Sequence, residues 1–208
     1  MSSPLLLKLI IYNQKAPIKE SDWKNYDCYC LYSDCSLSMI MENKALVSIA
    51  TPNEKDLELM EESISTLKSF GLSCEVVVIS AHRSPEQMVQ YAKNATDRGI
   101  EVIIAAASGA AHLPGMIAAF TTLPVIAVPL KSPFLDGLDS VLSILQMPNG
   151  VPVATVSVNG ARNAAILASQ IIGLHNDKAR QEMKKLKMTL ATEVEEQSER
   201  VKSKFSIE

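Results

Sequence analysis

The chain has 208 residues, 47% of them hydrophobic and 21% charged, with a net charge of −3 and a pI of about 5.7. That length supports one domain with a core of its own, and that composition argues against wholesale disorder. A net-negative chain with only 5% aromatic residues offers neither the basic surface nor the stacking platforms of a nucleic-acid binder, nor attraction to an acidic membrane surface.

Residues 1–44 mix Pro, Asn, Ser and Cys without sustained periodicity, and are expected to form an extension outside the main fold. The apolar run at residues 5–12 is interrupted by Lys8. It is shorter than the roughly 20 residues of a membrane span. It also lacks the basic lead and small-residue cleavage site of a secretory signal, so the default expectation is a cytoplasmic protein. Cys28, Cys30 and Cys35 crowd together, but a zinc site wants a fourth ligand and paired spacing. With Cys74 they are expected to be reduced thiols holding no metal.

From residue 45 the pattern becomes regular. Residues 46–50, Leu-Val-Ser-Ile-Ala, form a short apolar run suited to a buried parallel strand. Thr51 reads as the N-cap of the next helix, with Pro52 at the first helical position and Glu54 three residues after the cap. Leu57, Met60, Ile64 and Leu67 recur at steps of three and four, giving one buried stripe, and Gly71 ends the helix. The unit then repeats. Strands are expected at 75–79, 102–106, 124–128 and 153–157. Helical segments are expected from Ser84-Pro85 to Gly99, then at 113–120, 139–145 and 161–173. Strands this apolar, alternating with helices, imply an α/β three-layer sandwich whose central parallel sheet is covered on both faces. Residues 177–205 are polar and helix-prone, with Met183, Leu186 and Leu190 as a thin apolar stripe expected to dock on a neighbour or on the domain surface. The expected organisation is an extension (1–44), a main domain (45–175) and a helical tail (176–208).

In an open parallel sheet, ligands bind beyond the carboxyl ends of the strands. Four loops qualify: residues 51–56, 80–85, 106–112 and 129–137. In Ser80-Ala81-His82-Arg83-Ser84-Pro85, a histidine and an arginine stand at a strand end just before a helix start. That is a place for an anion and for proton transfer near neutral pH. The same two residues also suit a surface ion pair and a helix cap, and both readings stay open on this loop alone. In the stretch from Ala106 to His112, nearly volumeless side chains let backbone amides approach a flat ligand. Tight helix–sheet packing explains the alanines equally well but leaves His112 unexplained. His175 reads as a helix C-terminal residue without a catalytic part. There is no Gly-x-x-x-x-Gly-Lys-Ser/Thr loop, Gly-x-Gly-x-x-Gly fingerprint or Gly-x-Ser-x-Gly elbow, which disfavours ATP-driven and hydride chemistry.

These loops resemble those of the PurE family. The resemblance runs in unbroken order through Ser80-Ala81-His82-Arg83-Ser84-Pro85, Gly109-Ala110-Ala111-His112-Leu113-Pro114-Gly115-Met116, Leu123-Pro124-Val125-Ile126, Asp136-Gly137-Leu138-Asp139-Ser140 and Gln146-Met147-Pro148-Asn149-Gly150-Val151-Pro152-Val153-Ala154-Thr155. It implies a flavodoxin-like sheet, a homo-octamer, and a reaction without metal or organic cofactor. The stretch Ala-Ala-His-Leu-Pro-Gly-Met is similar to the mutase branch, which moves a carboxylate on N5-carboxyaminoimidazole ribonucleotide from the exocyclic nitrogen to ring carbon. By resemblance His82 and His112 are the catalytic histidines, His82 as proton shuttle. Arg83 would hold the phosphate, Asp56 the ribose hydroxyls, and the loop from Ala106 to Ala111 the imidazole edge. Asn53, Lys55, Ser80, Ala81, Ala106, Ser108, Gly109, Ala110 and Leu113 complete the expected substrate shell.

Two loops depart from the family pattern. Gly-Ser-x-Ser-Asp after the first strand is here Pro52-Asn53-Glu54-Lys55-Asp56, so one amide donor is lost. Gly-Ala-Gly-Gly is here Ala106-Ala107-Ser108-Gly109, a change that costs about 1 kcal/mol or more per residue wherever positive φ is needed. A working mutase with a retuned phosphate site is one expectation. The alternatives are a paralogue acting on another substrate and a non-catalytic binding or assembly protein.

Overall fold

The computed structural model describes residues 44–205. The amino-terminal extension, the run at residues 5–12 and the thiols of Cys28, Cys30 and Cys35 lie outside the described residues. The strands are β1 Val47–Thr51, β2 Cys74–Val78, β3 Val102–Ala107, β4 Val125–Pro129 and β5 Ala154–Thr155. The helices are α1 Glu61–Ser69, α2 Pro85–Lys93, α3 His112–Phe120, α4 Leu138–Leu145, α5 Ala161–Ile172 and α6 Asp177–Phe205, and a 3-10 helix, Glu54–Met60, precedes α1.

All four strand pairings are parallel, and the sheet order is β2-β1-β3-β4-β5. This is the flavodoxin-like doubly wound order, with its switch point between β1 and β3. The period of two along β3 shows how both faces are used. Val102, Ile104 and Ala106 face one core, with Met60, Leu67, Ala164 and Ala168 of the 3-10 helix, α1 and α5. Ile103, Ala105 and Ala107 face the other, with Met88, Tyr91, Leu113, Ile117 and Ile144 of α2, α3 and α4. Every residue of β1, β3 and β4 is buried, which is why these strands read as unbroken apolar runs. Full burial of each Ile or Leu here is worth about 1.5–3 kcal/mol.

Three sequence expectations need correction. Thr51 is the last residue of β1, paired with Val78. Its hydroxyl donates to the Asn53 carbonyl at 3.1 Å instead of capping a helix. The N-cap is extended Asn53, and the helix opens at Glu54 as a 3-10 segment. The helix after Ser84 ends at Lys93, and turns carry the chain to Gly99, at φ 87°. β5 keeps only Ala154 and Thr155 in register, with Ile126 and Ala127. Beyond them the chain still bonds to β4, Val156 N donating to Ala127 O and Asn159 N to Pro129 O, but irregularly. The other boundaries shift by a residue or so, including α3, which starts on His112 itself. No helix among the described residues is long and apolar enough to cross a membrane.

Candidate active site

The carboxyl ends of β1, β2 and β3 open into a cavity of about 330 Å³, lined by Pro52, Asn53, Ser80–Arg83, Ala107, Ser108, Ala110, Ala111, His112 and Leu113. Such a volume suits a small organic ligand. It sits at the topological switch point, where the connections from β1 and β3 diverge and leave the crevice open.

The loop after β2 is a closed turn built on serines. Ser80 carbonyl accepts from the Ser84 amide at 3.1 Å and from the Ser84 hydroxyl at 3.2 Å. Ser80 Oγ accepts from the Arg83 amide at 3.2 Å. The turn thrusts His82 and Arg83 outward over the start of α2, whose first helical residue is Pro85. Arg83 is then fixed from the first loop: its Nη2 donates to Pro52 O at 2.6 Å and to Asn53 Oδ1 at 2.7 Å. Asn53 is itself oriented, its Nδ2 donating to Asp56 Oδ2 at 3.2 Å. Hence the residue that replaces the family glycine contributes its carbonyl, and the lost amide is no loss to the arginine.

The loop after β3 brings the second histidine. Ala111 adopts the left-handed conformation, φ 47° and ψ 40°, as N-cap of α3. For a residue with a Cβ that costs about 1 kcal/mol. It turns the chain so that the His112 ring meets His82. Nε2 of His82 and Nδ1 of His112 are 2.7 Å apart, and the rings stand edge to face at 77° with centroids 4.9 Å apart. One of these nitrogens donates its N–H and the other accepts; the pair cannot both be cationic and keep the bond. The glycine replacements in this loop carry no backbone strain. Ala106, Ala107 and Ser108 have negative φ, and Gly109, at φ 64°, keeps the one glycine the turn requires. Gly109 is tied to α4, its N–H donating to Ser140 Oγ at 2.9 Å and its carbonyl accepting from Ser143 Oγ at 3.3 Å.

The structure therefore gathers Asn53, Ser80, Ala81, His82, Arg83, Ser108, Ala110, His112 and Leu113 around one cavity. It does not bring in four others. Ala106 is fully buried in β3 and faces the opposite core, which leaves Ala107 to line the cavity. Gly109 is turned toward α4, and Asp56 reaches the cavity only through Asn53. Lys55 is exposed, and its side chain has no hydrogen bond or ion pair to another described residue. Pro52 lines the cavity from outside the expected shell, while Ala107 and Ala111 belong to the loop expected at the imidazole edge without being singled out in it, although the alternation of side chains along β3 distinguishes Ala107 from Ala106. His175 lies away from the cavity, bonded to Glu101 at 2.9 Å. Among the described residues no group of three or more His, Cys, Asp or Glu is placed to hold a metal ion.

The arrangement can take up an anion beside Arg83 and pass a proton through paired imidazoles a few ångströms away. Comparison with known proteins supplies the family. Residues 46–193 match the AIR carboxylase family. The chain is 50% identical over 158 residues to the N5-carboxyaminoimidazole ribonucleotide mutase of Pyrococcus horikoshii, covering 76% of this chain and 89% of that protein. It is 53% identical over 148 residues to the mutase of the same name from Saccharolobus solfataricus, covering 71% and 94%. The crystal structure of Treponema denticola PurE superposes with a TM-score of 0.70 at 30% identity, covering 76% of this chain and 99% of that one. With a family match across most of its length and relatives at half identity, the chain belongs to the AIR carboxylase family, the PurE family that its loops resemble.

Proposed function

We propose that this protein is an N5-carboxyaminoimidazole ribonucleotide mutase, an isomerase that moves a carboxylate from the exocyclic nitrogen to carbon 4 of the imidazole in purine biosynthesis. The observation that carries the reading is the hydrogen-bonded pair of His82 and His112 beside Arg83, at a strand-end cavity in a chain half identical to proteins of that name.

The chemistry follows from the placement. Arg83, held by Pro52 and Asn53, presents its remaining N–H groups to the substrate phosphate. Ser108, Ala110 and Leu113 set the face against which the ring lies. His82 gives a proton to the exocyclic nitrogen as the carbamate N–C bond breaks and carbon dioxide is released. Carbon 4 then attacks the carbon dioxide held in the cavity, and His82 takes the ring proton, so the imidazole ends as it began. His112 holds the second nitrogen of that exchange in place through the shared bond.

The reaction needs carbon dioxide retained, yet both imidazoles are exposed in the single chain. Leu138, Leu142 and Leu145 form an exposed apolar stripe on α4, continued by Phe134 and Leu135. Such a patch is what a second copy covers. We take the assembly to be a homo-octamer, which a mass measurement by light scattering checks.

Purified protein mixed with N5-carboxyaminoimidazole ribonucleotide is expected to generate the ultraviolet signal of the ring-carboxylated product, and a His82→Asn variant is not. Equal rates from the two proteins reject the mutase. Turnover of the uncarboxylated ribonucleotide with bicarbonate, but not of the carbamate, makes the protein a carboxylase instead.

A further inference from the structure

The family match stops at residue 193, but α6 runs on to Phe205 as one helix of 29 residues, about 43 Å long. Its first turns are anchored. Ala179 is buried, Met183 and Leu186 pack against the core formed with α5, and Arg180 donates to the carbonyls of Gly173 and Leu174. The apolar stripe does not end where the domain does. Positions 183, 186, 190, 194, 197, 201 and 205 step by three, four and four residues, an eleven-residue repeat that stays on one side of a straight helix. Beyond the domain it carries Leu190, Val194, Val201 and Phe205, exposed by 40%, 64%, 52% and 63%.

The distribution of these residues selects a partner. The four apolar side chains are symmetric about a point between Gln197 and Ser198: Leu190 is as far before it as Phe205 is after it, and Val194 mirrors Val201. Charge is graded about the same centre, with Glu193, Glu195 and Glu196 before it and Arg200, Lys202 and Lys204 after it alongside a single acid, Glu199. An antiparallel copy of the same helix therefore sets Leu190 against Phe205, Val194 against Val201, Glu193 against Lys202 and Glu195 against Arg200, with Glu196 against Glu199 the one like-charged pair. A parallel copy sets glutamate on glutamate and arginine on arginine, which repel. Gln197, the one polar residue on the stripe, lies beside the crossing point, about 1.5 Å along the axis from its counterpart, where its amide can bond to that counterpart and fix the register.

We propose that the distal half of α6 is a self-pairing arm, through which two copies of this chain associate antiparallel about Gln197. The surface is separate from the cavity and from the α4 face, and it stands or falls independently of the catalytic reading.

Cysteine cross-linking of the full chain under mild oxidation tests it. In antiparallel pairing the two Gln197 positions meet, so Gln197→Cys is expected to yield an interchain disulfide between residues 197, identified by peptide mass mapping. The two Val194 positions lie about 10 Å apart along the axis, beyond disulfide reach. Val194→Cys alone therefore yields no such bond, while a mixture of Val194→Cys and Val201→Cys chains yields the 194–201 bond. Three results overturn the proposal. They are no interchain bond at 197 in a variant whose circular dichroism is native, Val194→Cys linking to itself as readily as Gln197→Cys, and Gln197→Cys linking to Cys28, Cys30 or Cys35. The last makes the amino-terminal segment the occupant of the stripe.

Discussion

Nε2 of His82 and Nδ1 of His112 share one hydrogen bond, although thirty residues separate them in the chain. The bond fixes which His82 nitrogen faces His112 and leaves Nδ1 for the substrate. His82→Asn is expected to lose about 10²–10⁴-fold in kcat with the fold retained. His112→Asn still offers an amide to His82 and is expected to lose less, about tenfold. It should also alter the shape of the pH–rate profile, because the second site of the shared proton is gone. Equal losses with unchanged profiles would show that His112 acts otherwise than by holding His82.

Arg83 is fastened by two acceptors of the first loop, Pro52 O and Asn53 Oδ1. Removing one should loosen the guanidinium without touching the imidazoles. Asn53→Ala is therefore expected to raise KM severalfold with kcat nearly unchanged. Arg83→Lys exchanges a fork for a point charge and forfeits a charged hydrogen bond worth about 1.5–3 kcal/mol, or roughly a 10- to 100-fold rise in KM. A fall in kcat at constant KM in steady-state kinetics contradicts this division of labour.

The architecture was legible because burial writes itself into strands. Val102 to Ala107 admits water on neither face, so its apolar run marks a central parallel strand from the sequence alone. The site was legible to the level of loops, since His82, Arg83 and His112 stand at strand ends. Finer placement was not. Whether Ala106 or Ala107 meets the cavity depends on strand phase, and a one-residue shift exchanges the faces. Thr51 carries the composition of a cap, but pairing with Val78 claims its backbone for the sheet. The tie from Gly109 to Ser140 spans 31 residues and leaves no local pattern to read. The cysteine-bearing segment before residue 44 lies outside the described residues.

Tyr91 and Ser48 form a second long-range pair, hydroxyl to hydroxyl at 2.5 Å in the core. Burial raises the Tyr91 phenol above its ordinary 10.0. Below pH 10 the phenol is protonated in both states. Above it the unfolded chain releases the proton while the folded chain retains it, so stability falls as pH rises. Tyr91→Phe orphans the buried Ser48 hydroxyl and is expected to cost about 1–3 kcal/mol at neutral pH, but it lacks this alkaline slope. Denaturation midpoints of the two proteins should converge above pH 10. Cys74, also raised by burial, is common to both and cancels in the difference. A constant gap up to pH 11 contradicts the assignment.

Gly137 opens α4 in the left-handed conformation, φ 96°, and a Cβ added there would lie 2.7 Å from Val158 Cγ1 and 3.3 Å from Leu130 O. Strain and collision act together, so Gly137→Ala is expected to cost about 2–3 kcal/mol, a fall in Tm of roughly 5–10 °C. The loss should not be confined to stability. The same helix carries Ser140, whose hydroxyl accepts from Gly109 N and donates to Leu130 O, each at 2.9 Å. Tilting α4 to clear Val158 moves that hydroxyl, and with it the loop that delivers His112. Turnover at a temperature where the variant is fully folded should therefore fall further than in Leu142→Ala, a change on the exposed side of the same helix that leaves Ser140 in place. Both variants must be compared at matched assembly state, since Leu142 belongs to the apolar stripe. Full activity in folded Gly137→Ala would show that the loop holds His112 without help from α4.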